Sequence, residues 1–567
     1  MMKKRAASAV LAVSMAVSLC GCGKGGNQEK GGQTGTLAEQ PGSATAQTGQ
    51  NGEASSEAAD GAEPYVPVYP IVEEPITVTG LVVDGDLSVS ESRIVWDLVE
   101  EVTGINIEWI NIDKEALSTY LAGNGWPDFF HTYELSSSEV NDYGVLGGRF
   151  VNYLDYLDVM PNLAKTYKDY PLTLAASTQL NGEVYNLFQV TGGSATGTTA
   201  RPHVRLDVLR AAGITELPTT VDELYNQLVI LKEKNGEPGM ILDTDNKFGY
   251  IPMLFAAFGT LNNPVFDTDQ SQKVVFAPIT EQTKHYYEFL HKLYDEELMH
   301  REWLTLDNTA KNQFAQSGKV AFLPQPSAQM LSETDLNGEW DNLSCVAPLT
   351  SEYDSTRTLA GFVDYRPVAG MYINKDSQYV EEICKMFDIA FATEEVAEGT
   401  GLYGQAFTHG LEGVDWKLND DNTYEQIVPE GFSSFSAYQI QALRWQDLGR
   451  AEAIGLATTS TPGNAQARQI AYVENVIPYQ ITENIFPQDP SAILKFTDDE
   501  QYVIDNKYGD INLYVEKMKA EFITGVTDID KGWDAYVAQC EKMGIDQVLE
   551  VYQASYDRWR EALNSLN

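Results

Sequence analysis

The sequence predicts an α/β protein whose folded body opens on a parallel sheet. From Pro75 onward, short apolar runs of strand length alternate with stretches of helical spacing. The body from Tyr65 to Asn567 is roughly 500 residues in a chain that is 43% hydrophobic and 11% aromatic. At about 100–200 residues per domain, that length supports two or more lobes with ample core. No internal repeat and no coiled-coil heptad is present.

Pro75 to Val83 (PITVTGLVV) reads as a buried strand. Ile94, Val95, Leu98, Val99 and Val102 recur at helical spacing, with Gly104 as the stop. Ile105 to Ile110 (INIEWI) is the next strand, Asp113 to Leu121 a short helix, and Pro127-Asp128-Phe129-Phe130 enters a third strand. A β-α-β-α-β opening implies parallel strands with helices on the sheet faces. Ligands on such sheets bind outside the carboxyl ends of the strands.

Further along, Asn181-Gly182 predicts a hairpin turn with Val184 to Leu187 as the return strand. Thr220 with Glu223 forms a capping-box pattern ahead of the apolar stripe Leu224, Leu228 and Leu231, and Asn235-Gly236 ends that helix. Glu281 to Leu298 is helical, with Tyr286, Phe289, Leu290 and Leu293 on one side. Ala321 to Leu323, Cys345 to Ala347 and Ala369 to Ile373 read as strands, Tyr379 to Phe391 as a helix, and the chain after Thr497 as mainly helical.

The amino terminus has its own logic. Lys3, Lys4 and Arg5 precede an uncharged apolar run, Ala6 to Leu19, too short to span a bilayer comfortably. Leu19-Cys20-Gly21-Cys22 resembles the lipobox of bacterial lipoproteins, in which the cysteine is diacylated and becomes the first mature residue. The resemblance makes 1–21 a signal peptide and Cys22 the lipidated residue. Two acyl chains give a stable anchor where one is marginal. Residues 23 to 64 are Gly, Ser, Thr, Ala, Gln and Glu with almost no large apolar side chain, so 22–64 reads as lipidated cysteine plus disordered tether. No other apolar run is long enough for a transmembrane helix.

The net charge is -44, and residues 1–64 hold six acids (Glu29, Glu39, Glu53, Glu57, Asp60, Glu63) against five bases, so the surplus sits in the body. Such a balance argues against nucleic acid or anionic lipid as a partner. Cys345, Cys384 and Cys540 are far apart and odd in number, without metal spacing, and are expected as buried free thiols. Patterns for a nucleophile elbow, a zinc protease, a P-loop or a dinucleotide fold are absent in context. The six histidines (131, 203, 285, 291, 300, 409) form no ligand pair on a helix face. Asp243-Thr244-Asp245-Asn246-Lys247 resembles the start of a calcium loop, but Lys247 breaks it and Gly249 falls one place late. No metal, no cofactor and no catalytic residue is therefore expected.

Several stretches together resemble bacterial extracellular solute-binding lipoproteins of ABC importers, in the oligosaccharide-binding, LplA-like group. They are Leu121 to Asp128 (LAGNGWPD), Phe150 to Pro161 (FVNYLDYLDVMP), Val204 to Leu209, Leu217 to Leu224 (LPTTVDEL), Gln316 to Ala321, Gly410 to Trp416 (GLEGVDW) and Phe522 to Gly525 with Trp533 to Val537. None is specific alone; their order over about 450 residues behind a lipobox is. The resemblance implies a two-lobe periplasmic-binding-protein-like clamp with hinge crossings and a helical C-terminal region. Lobe 1 would hold 75–198 and 365–410, and lobe 2 would hold 199–364 and 411–567.

It also implies a carbohydrate ligand, delivery to the transmembrane subunits of an ABC permease, and a monomer on the outer face of the cell membrane, held there by its lipid alone. A sugar cleft needs aromatic platforms and planar hydrogen-bonding groups. The expected ligand contacts are Trp126, Asp128 and Tyr133 around the third strand, Arg205 at the start of lobe 2, Tyr365 and Arg366 in the return crossing, and Trp416 and Trp445 in the later loops. Competing structural roles are a cap or turn for Asp128, a salt bridge with Asp207 for Arg205, and core packing for the two tryptophans. A surface glycoside hydrolase or lyase, and a peptide-binding lipoprotein, are the rival functions.

Overall fold

The computed structural model describes residues 65–83, 94–131, 135–191, 201–242, 250–260, 266–268, 271–360, 365–418, 424–432, 438, 450–452, 464–481 and 493–566. These lie in one compact unit, Glu63–Asn567. The signal and tether with Cys22, the loop 243–249, Tyr133 and Trp445 fall outside the described residues.

The opening follows its sequence pattern closely. β1 (Ile76–Val83), α1 (Ile94–Thr103), β2 (Ile105–Ile112) and β3 (Phe129–His131) build a sheet of order β12-β3-β1-β2, with β12 (Tyr372–Ile373) at one edge. β1 runs parallel to both neighbours, Ile76 opposite Ile105 and Gly80 opposite Phe129, while β12 is antiparallel to β3. Gly104 ends α1 at a φ of +77°, where a side chain would be strained. Gly80 sits in the middle of β1 for a different reason. A Cβ there would stand 2.5 Å from Phe129 Cζ and 2.9 Å from Trp109 Cζ3, so glycine lets the two rings close over the strand. Gly80→Ala should therefore cost about 1–3 kcal/mol by overpacking, read as a lower urea midpoint with an unchanged denaturant slope.

The apolar interior is divided. One core gathers β1, β2, α1, α2 (Pro161–Asp169) and α7 (Val380–Asp388), and its partly buried rim extends to Leu411. A smaller cluster around Leu81, Phe130, Phe150 and Tyr372 packs on the same sheet. The largest core holds α4 (Leu206–Ala211), α5 (Val221–Asn235), α6 (Glu281–Asp295) and the C-terminal helices α9 (Asp498–Thr524), α10 (Ile529–Met543) and α11 (Ile545–Leu566). Its own sheet is antiparallel, β8 (Phe322–Leu323), β5 (His203–Arg205) and β9 (Leu343–Cys345), with β5 central. The hairpin Phe266–Thr268 with Val274–Phe276 (β6, β7) packs beside α11.

Between the two sets of core residues the chain passes in three strands that pair with one another. β4 (Leu187–Thr191) lies antiparallel to β11 (Tyr365–Gly370) and parallel to β15 (Arg450–Glu452). β4 serves both interiors: Leu187 and Val190 belong to the first core and Phe188 to the largest. Beside it, α3 (Pro171–Ser177) puts Ala176 into the largest core and Leu174 against the first.

Several local expectations shift. Asn181-Gly182 does turn the chain, with Gly182 at φ +83°, but only the single bridge Thr178–Val184 follows, and the strand begins at Leu187. Tyr185 is buried and bonded to Asn181 at 2.8 Å, so its side chain is committed before pairing starts. The capping pattern at Thr220 is half realised: Thr220 accepts from the Glu223 N–H at 3.1 Å, but the Glu223 carboxylate accepts from Thr219 instead. The strand expected over 369–373 breaks at Met371, φ +65°, where the chain leaves β11 for β12 in the first sheet. Cys345, Cys384 and Cys540 are buried and unbridged. Among the described residues no helix is long and apolar enough to cross a membrane.

Candidate functional site

The carboxyl ends of β1, β2 and β3 define one face of the first sheet, at Val83, Ile112 and His131. The segment that follows β3 reaches the helical C-terminal region: Asn141 Nδ2 donates to Asp498 Oδ1 at 3.2 Å, at the start of α9. Thr497 caps that helix in a complete capping box with Glu500. Tyr133, which this geometry would set just past β3, falls outside the described residues.

Trp126 and Asp128 stand instead at the amino end of β3. Trp126 donates from Nε1 to the Leu121 carbonyl at 3.0 Å; Phe150 stacks on its ring at 5.1 Å and Phe130 meets it edge-on at 4.9 Å. The Arg149 guanidinium lies 3.5 Å from the ring centroid and donates to the carbonyls of Leu121 and Gly123, so it pins the loop and the indole together. Asp128 joins three segments. One carboxylate oxygen accepts from Thr79 N–H at 2.7 Å and Thr79 Oγ1 at 2.8 Å, and the other from Ser377 Oγ at 2.7 Å.

Arg205, on β5, is 2% exposed. It donates from Nε to Asp207 Oδ1 at 3.2 Å and from a terminal nitrogen to Oδ2 at 2.6 Å, and also donates to the carbonyls of Ala315 and Asp335. Trp416 is buried, and its Nε1 donates to the Gly410 carbonyl, six residues earlier, at 3.0 Å. Asp415 closes the turn before Trp416 by accepting from Leu411 N–H at 2.8 Å, and it also accepts from Tyr438 O–H at 2.7 Å. Tyr365 and Arg366 are placed by backbone alone, on β11 opposite Val190 and Gln189. Trp445 falls outside the described residues.

A basic cluster that the sequence reading does not single out gathers where the chain enters the largest core. The Arg201 guanidinium lies 5.1 Å from the Tyr472 ring centroid, and Arg468 sits on the same helix as Tyr472, α8 (Asn464–Asn475). Burial, with the Arg201 charge adding, pushes Arg468 down to about 10. Next to the pair, His203 Nδ1 lies 3.1 Å from Cys345 Sγ, and the Tyr250 hydroxyl donates to the His203 carbonyl at 2.8 Å. Burial first, then Arg468 and Arg201, hold the imidazole well below its ordinary range, so it is neutral near pH 7. Burial raises the Cys345 thiol, which makes it a poor nucleophile. In sequence His203 and Cys345 stand out only singly, as a histidine and an expected free thiol; the group itself assembles through long-range folding.

Among the described residues, no group of three or more His, Cys, Asp or Glu is placed to hold a metal ion.

Comparison with known proteins fits this architecture. A family model described as a domain of unknown function, DUF3502, matches residues 492–561, the C-terminal helices. The fructooligosaccharide ABC transporter substrate-binding protein FusA of Streptococcus pneumoniae is 23% identical over 495 residues, 83% of this chain and 88% of that protein. The structure of S. pneumoniae FusA in complex with kestose matches with a TM-score of 0.65 at 21% identity, over 86% of this chain and 100% of the other. An extracellular solute-binding protein from Bifidobacterium longum subsp. infantis matches with a TM-score of 0.69 at 19% identity, over 86% and 98%. These relatives are named for binding and transport. The chain thus has the α/β fold of the extracellular solute-binding proteins, with a helical C-terminal region, and at low identity it is similar over most of its length to a binding protein of an oligosaccharide ABC transporter.

Proposed function

We propose that this protein captures an oligosaccharide outside the cell between two hinged lobes and delivers it to the transmembrane subunits of an ABC permease. The observation that carries this reading is the set of three paired strands, β4, β11 and β15, running between two separate interiors. Such crossings permit hinge closure over a bound solute. Support for a sugar comes from what similar proteins are named for: fructooligosaccharide in FusA, and human milk oligosaccharides in a binding protein of B. longum infantis matched at a TM-score of 0.67. No bond is made or broken in this mechanism.

Of the expected contacts, Tyr133, Tyr365, Arg366 and Trp445 are our choice for the sugar-facing set. The polar atoms of Trp126, Asp128, Arg205 and Trp416 are already satisfied inside the protein. Tyr365→Ala should weaken sugar binding about tenfold, the worth of one aromatic face. Anchoring is by lipid on Cys22, and Cys22→Ala should release the protein to the medium; full membrane retention would contradict it.

The test is calorimetric titration of the body with fructo-, milk-type and alginate oligosaccharides, followed by chromatography of the ligand. Binding with the sugar recovered intact supports the proposal. Cleavage would make the protein a glycoside hydrolase or lyase, and binding to peptides alone would overturn the sugar reading.

A further inference from the structure

A second cavity lies inside the helical body, separate from the three crossing strands. It measures about 240 Å³ and is walled by Phe255, Tyr286, Tyr287, Leu290, Trp303 and Val515. These come from helix Tyr250–Ala257, α6, the turn before residue 304, and α9. The rings meet closely, with Phe255 and Tyr286 centroids 4.2 Å apart. A cavity of about 150 Å³ suffices for benzene, so this one has room for a substituted ring.

Its polar groups are what set it apart from a packing void. Trp303 is 4% exposed, and its buried Nε1–H has no hydrogen-bond partner among the described residues. Tyr286 and Tyr287, 2% and 3% exposed, line the same cavity, and each carries a hydroxyl able to donate. Buried donors are nearly always satisfied, and each one left bare costs about 1–3 kcal/mol. A bare donor of this kind, Trp303 Nε1, in a residue that lines the cavity calls for an acceptor inside it. At the mouth, Lys519 Nζ is 2.6 Å from Glu516, which balances the local charge and leaves no net attraction for an ion.

We infer that this cavity is a binding site for a small neutral ring-bearing molecule with a hydrogen-bond acceptor oxygen, which accepts from Trp303 Nε1 and from the hydroxyls of Tyr286 and Tyr287. Shape and aromatic walls select the ring; the donors select the oxygen. A site built to hydrogen-bond an oxygen discriminates against an isostere that lacks it.

The probes are acetophenone and cumene, equal in heavy-atom count and alike in shape, with only the first carrying an acceptor. Binding to the folded body is followed by ligand-observed NMR and calorimetry. Acetophenone should bind about tenfold more tightly than cumene, and Trp303→Phe should reduce that preference to about threefold or less. Val515→Phe should fill the cavity and remove binding of both. If that variant does not fold, Leu304→Trp at the rim provides the block. Oligosaccharide titrations should be unchanged in these variants, which keeps this test independent of the transport reading. Equal binding of the two probes, binding of neither, or survival of binding in the filled variants would overturn the inference.

Discussion

Arg205→Ala lowers the stability of the body by about 3–5 kcal/mol and leaves oligosaccharide affinity where it was. The reason lies in what the guanidinium holds. Arg205 and Asp207 are 2% and 6% exposed at the side chain, with 2.6 Å between charged atoms. Asn337 Nδ2 adds a hydrogen bond to the same Asp207 oxygen at 2.9 Å. Removing the arginine strands a buried carboxylate, the buried carbonyl of Ala315 and the part-buried carbonyl of Asp335. Arg205→Lys keeps the charge but loses the two-pronged geometry, so it should fall between the wild type and alanine. Urea unfolding ranks the three proteins. A tenfold loss of sugar affinity in Arg205→Lys with an unchanged midpoint would instead return this residue to the ligand site.

Asp388→Asn removes a pH dependence of the same order. Asp388 ends α7, is 1% exposed, and caps α2 from outside that helix. Its carboxylate accepts from Leu163 N–H at 2.8 Å, from Asn162 Nδ2 at 2.8 Å and from Asn162 N–H at 3.3 Å. Residue Met160, at the cap position of α2, supplies no side-chain bond of its own. Burial raises the carboxyl from 3.8 to about 6, against the lowering by these donors. The folded state therefore holds this proton more tightly than the unfolded state. Its contribution is greatest below about pH 4, declines as pH rises to about 6, and is level above; the whole span is about 3 kcal/mol. The asparagine amide does not titrate, so the stability of the wild type minus that of Asp388→Asn should fall by about 3 kcal/mol between pH 4 and pH 7. A difference that rises with pH would mean that the helix N-terminus, not burial, dominates the charge.

These two residues also mark where sequence reasoning ends. β1, α1 and β2 were legible because their period is clean and Gly104 punctuates it. The stripe Leu224, Leu228 and Leu231, closed by Gly236 at φ +73°, was legible for the same reason. The Asp207 partner of Arg205 stands two places away, close enough in sequence for the salt bridge to be legible. The Asn162–Asp388 contact joins positions remote in sequence, and no local pattern announces it. The break at Met371 was hidden because a positive φ is expected at glycine, not methionine. Trp126 looked like a platform because it lies on a glycine-rich loop; Arg149, which covers part of its ring, comes from a different segment. Placement relative to strand direction was recoverable only in part: Trp126 and Asp128 precede β3 and so lie at its amino end, not at the carboxyl end where ligands of parallel sheets bind.

The central claim is that two lobes close on a sugar without reacting with it. Small-angle X-ray scattering of the body with and without a saturating oligosaccharide identified by calorimetry tests it most directly. The account predicts a smaller radius of gyration in the complex, reversed when the sugar is dialysed away intact. A radius unchanged at saturation, or a sugar recovered in pieces, would contradict it.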